Sequence, residues 1–207
     1  MTDPARFWDG VYASKDSREF SWFAPHLDAS LRLLDKAGLE RGSRLIDVGG
    51  GASTLVDDLL ARDMPSLTVL DVSAAALAVA QQRLGPLASL VDWIVADITN
   101  AVLPELAFDF WHDRAVLHFL TDPGDAQAYA RQTARAVVPG GHLLLAGFAP
   151  DGPERCSGQV VARRSAGEVE ALFAPGFRLL EWQMETHVTP WGADQSFLVA
   201  LLQKRGD

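Results

Sequence analysis

The stretch Arg44-Leu-Ile-Asp-Val-Gly-Gly-Gly-Ala-Ser53 decides the architecture. Its first half, to Val48, is a short apolar run suited to a buried strand. Its second half is three consecutive glycines, Gly49, Gly50 and Gly51, followed by Ser53, a residue type that caps helix N-termini. A strand, a glycine turn and a helix to about Ala61 therefore succeed one another. Glycines at such a junction adopt backbone angles closed to other residues and let a ligand approach the main chain.

The alternation continues downstream. Leu67 to Asp71 reads as a second strand, and Ser73 caps an alanine-rich helix that Gly85-Pro86 stops. Leu90 to Ala96 is a third strand, Phe108 to Trp111 a fourth and His142 to Phe148 a fifth. Between the last two, Asp122 caps a helix that starts on Pro123 and ends before Pro139-Gly140-Gly141. Strands linked by helices need right-handed crossovers and a parallel sheet covered on both faces, so the fold is α/β and doubly wound. Ser165-Ala-Gly-Glu168 is a capping box for a helix to about Phe173. Phe177 to Thr186 and Ser196 to Gln203 are then joined by a Pro-Trp-Gly loop too short for a helix, which makes them an antiparallel pair. Upstream, residues 1–42 are dense in aromatics (Phe7, Trp8, Tyr12, Phe20, Trp22, Phe23) and hold a helix from about Leu27 to Ala37 with Leu27, Leu31 and Leu34 on one face. This segment reads as a cap over a pocket.

At 207 residues the chain reads as one domain: cap 1–42, ligand-binding core 43–150 and tail 151–207. With 48% apolar and 22% charged residues it is a folded protein. Its 27 acidic and 18 basic residues leave a net charge of −9, and the longest basic runs are Arg163-Arg164 and Lys204-Arg205. Phosphate binding needs the opposite balance, so neither nucleic acid nor an anionic membrane is expected as a partner. The lone Cys156 excludes an intrachain disulfide and a multi-cysteine metal site, and no metal is expected. Met1-Thr-Asp-Pro-Ala-Arg6 lacks the pattern of a signal peptide, and no apolar run nears the roughly 18 residues of a membrane span, so a cytoplasmic location is expected.

In a doubly wound sheet the ligand crevice lies at the carboxyl ends of the central strands. A pyrophosphate reader would carry Gly-x-Gly-x-x-Gly, but here Thr54 stands at the third glycine position. Asp47, two residues before the first glycine, disfavours a phosphate and favours a cation, such as the sulfonium and ammonium of S-adenosylmethionine. Asp71 ends the second strand, where a carboxylate accepts hydrogen bonds from ribose hydroxyls, with Val72 beside it. Asp97 ends the third strand, within reach of an adenine amino group, with Ile98 against the ring. Taken singly, the glycines form a tight turn and the aspartates are solvated strand ends. Acidic residues at three successive strand ends are accounted for together by one nucleotide-like ligand.

Asp47-Val-Gly-Gly-Gly51, Leu70-Asp-Val-Ser73, Val95-Ala-Asp-Ile98 and Val138-Pro-Gly-Gly-His-Leu-Leu144 resemble the successive motifs of class I S-adenosylmethionine-dependent methyltransferases, over about residues 40–150. The resemblance implies a Rossmann-like seven-stranded sheet, mostly parallel with an antiparallel C-terminal pair. It also implies S-adenosylmethionine as cofactor, S-adenosylhomocysteine as product, and methyl transfer. Tyr12, Trp22, Ser53 and His112 join the glycines and aspartates as expected cofactor contacts.

The acceptor is expected near the end of the fourth strand, where Trp111-His-Asp-Arg114 sets titratable groups in one turn. His112 and His118 are candidate bases. Asp113 and Arg114 form either a site-orienting or acceptor-gripping ion pair, or a structural pair at a strand end. Neither the Asn/Asp-Pro-Pro-aromatic motif of DNA and glutamine amide methyltransferases nor the Asp-Asn pair of the metal-dependent catechol type is present. Trp111-His-Asp-Arg-Ala-Val116, Asp151-Gly-Pro153, Ser165-Ala-Gly-Glu-Val-Glu-Ala-Leu-Phe173 and Glu185-Thr-His-Val-Thr-Pro-Trp-Gly192 are similar in order and spacing to the thiopurine S-methyltransferase group, which lacks this glycine loop. That likeness implies a small thiol acceptor and places Arg114 on its side of the site. Phe7-Trp-Asp-Gly-Val-Tyr12 and Glu19-Phe-Ser-Trp-Phe23 look like the opening segment of small methyltransferase-like proteins that modify lysines. Trp8, Tyr12 and Trp22 then close over the ligands, or else form a hydrophobic strap. Cys156, His187 and Trp191 complete the acceptor-side candidates. The expected function is transfer of a methyl group to a small soft nucleophile, a thiol, with protein lysine N-methylation and a non-catalytic S-adenosylmethionine-binding regulator as alternatives.

Overall fold

The computed structural model describes residues 3–14 and 16–206. The strand β1 (Leu45–Val48), buried along its whole length, pairs in parallel with β2 (Leu67–Asp71) on one side and β4 (Phe108–Arg114) on the other. Outward lie β3 (Val91–Val95) beside β2 and β5 (Val137–Phe148) beside β4, again in parallel. Two further strands complete the sheet. A small hairpin of β6 (Arg155–Cys156) and β7 (Gln159–Val160) follows β5 and stands apart from it. After it, β8 (Phe177–Val188) and β9 (Asp194–Lys204) are antiparallel, and the order is β3-β2-β1-β4-β5-β9-β8. This is the seven-stranded, Rossmann-like sheet expected from the sequence.

Side chains alternate across a strand, so each strand feeds two cores. On one face Leu45 and Phe110 meet Leu31 and Leu34 of α2 (Asp28–Lys36) and Leu55 of α3 (Leu55–Ala61). Leu77 of the alanine-rich α4 (Ala74–Leu84) belongs to the same core. On the other face Ile46 and Trp111 meet Tyr129 of α5 (Pro123–Ala136) and Phe173 of α6 (Ala166–Phe173). Caps act where the sequence places them: Ser73 accepts from the Ala76 N–H, Asp122 from those of Gly124 and Asp125, and the Ser165–Glu168 box closes in both directions. Each such cap stabilises its helix by about 1 kcal/mol.

Strand β5 starts at Val137, five residues before the expected His142, so Pro139-Gly140-Gly141 lies within it, and β8 and β9 run two residues or less beyond their expected ends. Two further differences bear on the site. The strand β4 runs three residues past Trp111, so His112, Asp113 and Arg114 lie on a strand and not in a turn. Register with β1 (Val48 opposite Asp113) and β5 (Ala146 opposite Arg114) holds them extended. Helix α3 takes Thr54, not Ser53, as its N-cap residue, and the Thr54 hydroxyl donates to the Ala24 carbonyl at 2.9 Å. Ser53 Oγ still accepts the Leu55 N–H, at 3.2 Å.

The N-terminal cap forms a helix, α1 (Pro4–Ser14), that buries none of its residues fully. A side chain anchors it: the Asp9 carboxylate accepts from Ser73 Oγ at 2.7 Å and from the Ala75 N–H at 3.1 Å. Asp9 thus caps α4 from another element and holds α1 across the carboxyl ends of the strands. Among the described residues no helix is long and apolar enough to cross a membrane.

Candidate active site

The strand order reverses between β1 and β4, which is where doubly wound sheets leave a crevice. A cavity of about 330 Å³ lies there, within the usual range of small-molecule sites, about 300–1,000 Å³. Gly49, Asp71, Val72, Asp97, Ile98 and Arg114 line it from four successive strand ends. Trp8 and Tyr12 of α1 and Trp22 form its roof, and Cys156 reaches it from the β6–β7 hairpin. The three roof rings contact one another edge to face or tilted, at centroid separations of 5.9 to 6.5 Å. Val116, Phe119 and Leu120 also stand on the wall, which no local motif announces. Thr99 is there too, its N–H and hydroxyl both donating to Asp97 Oδ1.

The glycines answer to the protein's own close packing as much as to a ligand. Gly49 has φ +67°, and a Cβ on it would lie 1.9 Å from Val116 Cγ2. A Cβ on Gly50 would lie 2.6 Å from Val69 Cγ1, and one on Gly51 2.8 Å from Asp71 Oδ2. The loop is therefore clamped between the turn after β4 and the side chains of β2. Asp47, Gly50 and Ser53 face a smaller adjoining cavity of about 50 Å³ that shares Tyr12, Trp22, Gly49 and Arg114 with the larger one.

Asp71 is a buried carboxylate on the cavity wall with no ion-pair partner among the described residues. Burial first, then the charges of Asp47 and Asp9, push its pKa up to about 6. One oxygen accepts the Ser73 N–H at 2.8 Å. A carboxylate in this state suits a ligand that donates hydrogen bonds, as vicinal ribose hydroxyls do. Burial and the nearby Asp71 keep the Tyr12 hydroxyl protonated. These walls fit an adenosyl group.

Alternation along β4 separates the acceptor-side candidates. His112 is fully buried, with Nδ1 2.7 Å from Asp47 Oδ1 and Nε2 2.9 Å from Ser30 Oγ, and it is not on the cavity wall. Asp113 points to the opposite face, as adjacent strand residues must, so the expected ion pair with Arg114 does not form. It accepts instead from the N–H groups of Val116 and Leu117 and from the Tyr129 hydroxyl, and so shapes the turn after the strand. His118 is buried on a separate cavity of about 30 Å³. Burial, with Arg164 and Arg114 nearby, pushes its pKa down to about 3. Its ring is neutral and turned away from the crevice.

Arg114 does reach the crevice. Its Nη1 donates to the Trp22 carbonyl at 2.8 Å, and its guanidinium lies 5.1 Å from the centroid of the Phe197 ring. Burial pushes the Cys156 thiol up to about 11, which leaves it protonated. His187 donates from Nε2 to the Ser21 carbonyl at 2.7 Å and lines a different chamber. Trp191 stands exposed in the β8–β9 turn, off the cavity wall, because the antiparallel pair carries its turn beyond the crevice.

Comparison with known proteins agrees with this geometry. Residues 46–145 match the methyltransferase domain family. An uncharacterised methyltransferase of Mycobacterium tuberculosis is 33% identical over 123 residues, 59% of this chain and 58% of that protein. EEF1A lysine methyltransferase 4 of Mus musculus is 27% identical over 152 residues, 67% of this chain and 58% of that protein. The chain thus spans 58% of the length of these relatives. Among solved structures, the protein described for the conversion of a disulfide bond into a thioacetal group during echinomycin biosynthesis superposes with a TM-score of 0.77 at 21% identity, over 97% of this chain and 93% of that one. The 1,6-didemethyltoxoflavin-N1-methyltransferase of Burkholderia thailandensis, solved with bound S-adenosylhomocysteine, gives 0.69 at 20% identity, over 98% and 84%. Sequence match, sheet order and crevice converge: residues 46–145 match a methyltransferase domain, and the sheet has the Rossmann-like fold of the methyltransferase structures on which it superposes.

Proposed function

We propose that the chain acts as a single domain that methylates a small thiol. Asp71 would accept the ribose hydroxyls, Asp97 and Ile98 would meet the adenine, and the glycine loop with Asp47 would face the cationic methionine end. When bound, the cofactor supplies a methyl group on a cationic sulfur. The acceptor thiol would lose its proton to solvent and its sulfur would take the methyl carbon, the electrons of the broken bond staying on the cofactor's sulfur.

One observation carries the thiol reading. Beside Arg114 the cavity offers a guanidinium and aromatic walls, but the two histidines that could serve as bases are both off the wall. The wall carboxylates other than Asp71 and Asp97 reduce to Asp125, which is exposed at the rim. An acceptor that is partly ionised near neutrality needs no base, and a thiol of pKa about 8.5 meets that condition. Alignment of the acceptor within the cavity supplies much of the rate. Lysine N-methylation is the second reading, favoured by the similarity to the mouse lysine methyltransferase. A lysine ammonium must first lose its proton, which this wall assists less.

Methyl-labelled cofactor incubated with a cell extract split by size separates the readings. Label in the small-molecule fraction supports the thiol, and label on protein supports lysine. No label in either, with cofactor binding intact, indicates a regulator.

A further inference from the structure

On the side of Arg114 away from the cofactor cavity lies a second chamber of about 160 Å³, between the first turn of α2 and the β8–β9 pair. Arg114, Glu185 and His187 are among its polar walls, and Ala146, Phe197 and Val199 among its apolar ones. Arg114 lines this chamber and the cofactor cavity alike.

Exposed Asp28 and His26 also line the chamber, His26 paired with Asp58 at 2.8 Å, whereas the charges of Arg114 and Glu185 are unpaired among the described residues. Apart from the Trp22 carbonyl and the Phe197 ring, the guanidinium has no hydrogen-bond partner, and no carboxylate lies within 4 Å of it, among the described residues. Glu185 likewise has no hydrogen bond or ion pair among the described residues, although its charge acts on Arg114. The guanidinium and the Glu185 carboxylate, both partly buried, thus line one chamber without forming an ion pair. His187 adds an acceptor. Burial and Arg114 lower its pKa, and its Nε2–H is committed to Ser21, so the neutral ring keeps a lone pair on Nδ1. Leu27, the N-cap residue of α2, supplies no side-chain cap, so that turn's N–H groups are also uncommitted to a side chain.

We propose that this chamber receives the zwitterionic head group of an amino-acid-type acceptor, with its carboxylate on Arg114 and its ammonium on Glu185, the reactive end passing Arg114 toward the cofactor cavity. The inference rests on the methyl-transfer reading above and names the substrate class. A carboxylate alone would face Glu185 and the exposed Asp28, and an amine alone would face the guanidinium. At about 160 Å³ the chamber has room for an α-amino-acid head of five heavy atoms.

The test uses the full chain saturated with S-adenosylhomocysteine and three unreactive thioethers, titrated by calorimetry. They are S-methyl-L-cysteine, 3-(methylthio)propionate and 2-(methylthio)ethylamine. The zwitterion is expected to bind at least about tenfold more tightly than either singly charged probe. Arg114→Gln removes most of that advantage over the amine, and Glu185→Gln removes it over the carboxylate. Equal binding of the three probes, or binding of none, overturns the proposal. So does an Arg114→Gln variant that loses affinity for S-adenosylhomocysteine as much as for S-methylcysteine, since the guanidinium would then serve the cofactor. Charge discrimination without methylation of L-cysteine keeps the head-group site and removes the thiol reading. Methylation of 2-mercaptoethanol as efficient as that of L-cysteine, without discrimination among the thioethers, keeps the thiol reading and removes the head-group site.

Discussion

His112 Nδ1 lies 2.7 Å from Asp47 Oδ1, both side chains almost wholly buried under the glycine loop, and Ser30 Oγ occupies the other ring nitrogen at 2.9 Å. The contact ties α2 to the centre of the sheet. Asp47 Oδ2 already lacks a partner, so deleting the imidazole leaves the carboxylate buried alone. His112→Ala is expected to lower the unfolding free energy by about 3–5 kcal/mol in chemical denaturation. Full stability combined with lost methyl transfer would instead make the ring a catalytic group.

The pH dependence of Asp71 has opposite signs for folding and for binding. Its pKa rises from 3.8 to about 6 on folding, so the native state holds the extra proton between those values. Its stabilising contribution is full below the lower value and is lost as pH rises through the upper one. Asp113, also raised to about 6 by burial, acts in the same direction. Affinity for S-adenosylhomocysteine should instead increase as pH passes 6, because the ionised carboxylate accepts both hydroxyls. Asp71→Asn should flatten that profile and weaken binding by roughly tenfold. A wild-type binding curve without an inflection near 6 would take Asp71 out of the ribose contact.

Tyr129 is an interior relay: its hydroxyl accepts from Trp111 Nε1 at 2.8 Å and donates to Asp113 Oδ2 at 2.7 Å. Phenylalanine keeps the ring but orphans the Trp111 N–H and leaves Asp113 Oδ2 with the Leu117 N–H alone. Tyr129→Phe should cost about 3 kcal/mol, read as a lower urea midpoint at unchanged slope. A shift below about 0.5 kcal/mol would mean that water replaces the hydroxyl.

Asp9→Ala removes the cap that joins α1 to α4. The expected cost is about 1 kcal/mol, with faster hydrogen exchange in α1 and in the first turn of α4. Affinity for S-adenosylhomocysteine should fall as well, since Trp8 and Tyr12 ride on α1. Unchanged exchange in α1 would show that its aromatic contacts alone hold it.

Features that depend on a few neighbouring residues were legible from the chain. The caps at Ser73, Asp122 and Ser165, the glycine turn after β1 and the acidic strand ends act through local backbone geometry, so local sequence announces them. The Thr54 cap is a local feature that was not legible, because the hydroxyl is drawn to Ala24, thirty residues earlier.

The sequence by itself determined the alternation of strands and helices, the antiparallel finish and the crevice with Asp71 and Asp97 on its wall, since periodicity and turn chemistry are written in consecutive residues. Only the tertiary structure decided what His112, Asp113 and Arg114 do. They are adjacent in the chain, yet pairing with β1 and β5 extends them and turns alternate side chains to opposite faces. His112 is thereby spent on Asp47 and Ser30, Asp113 on the following turn, and Arg114 is left facing Glu185 across a chamber whose walls lie far apart in sequence.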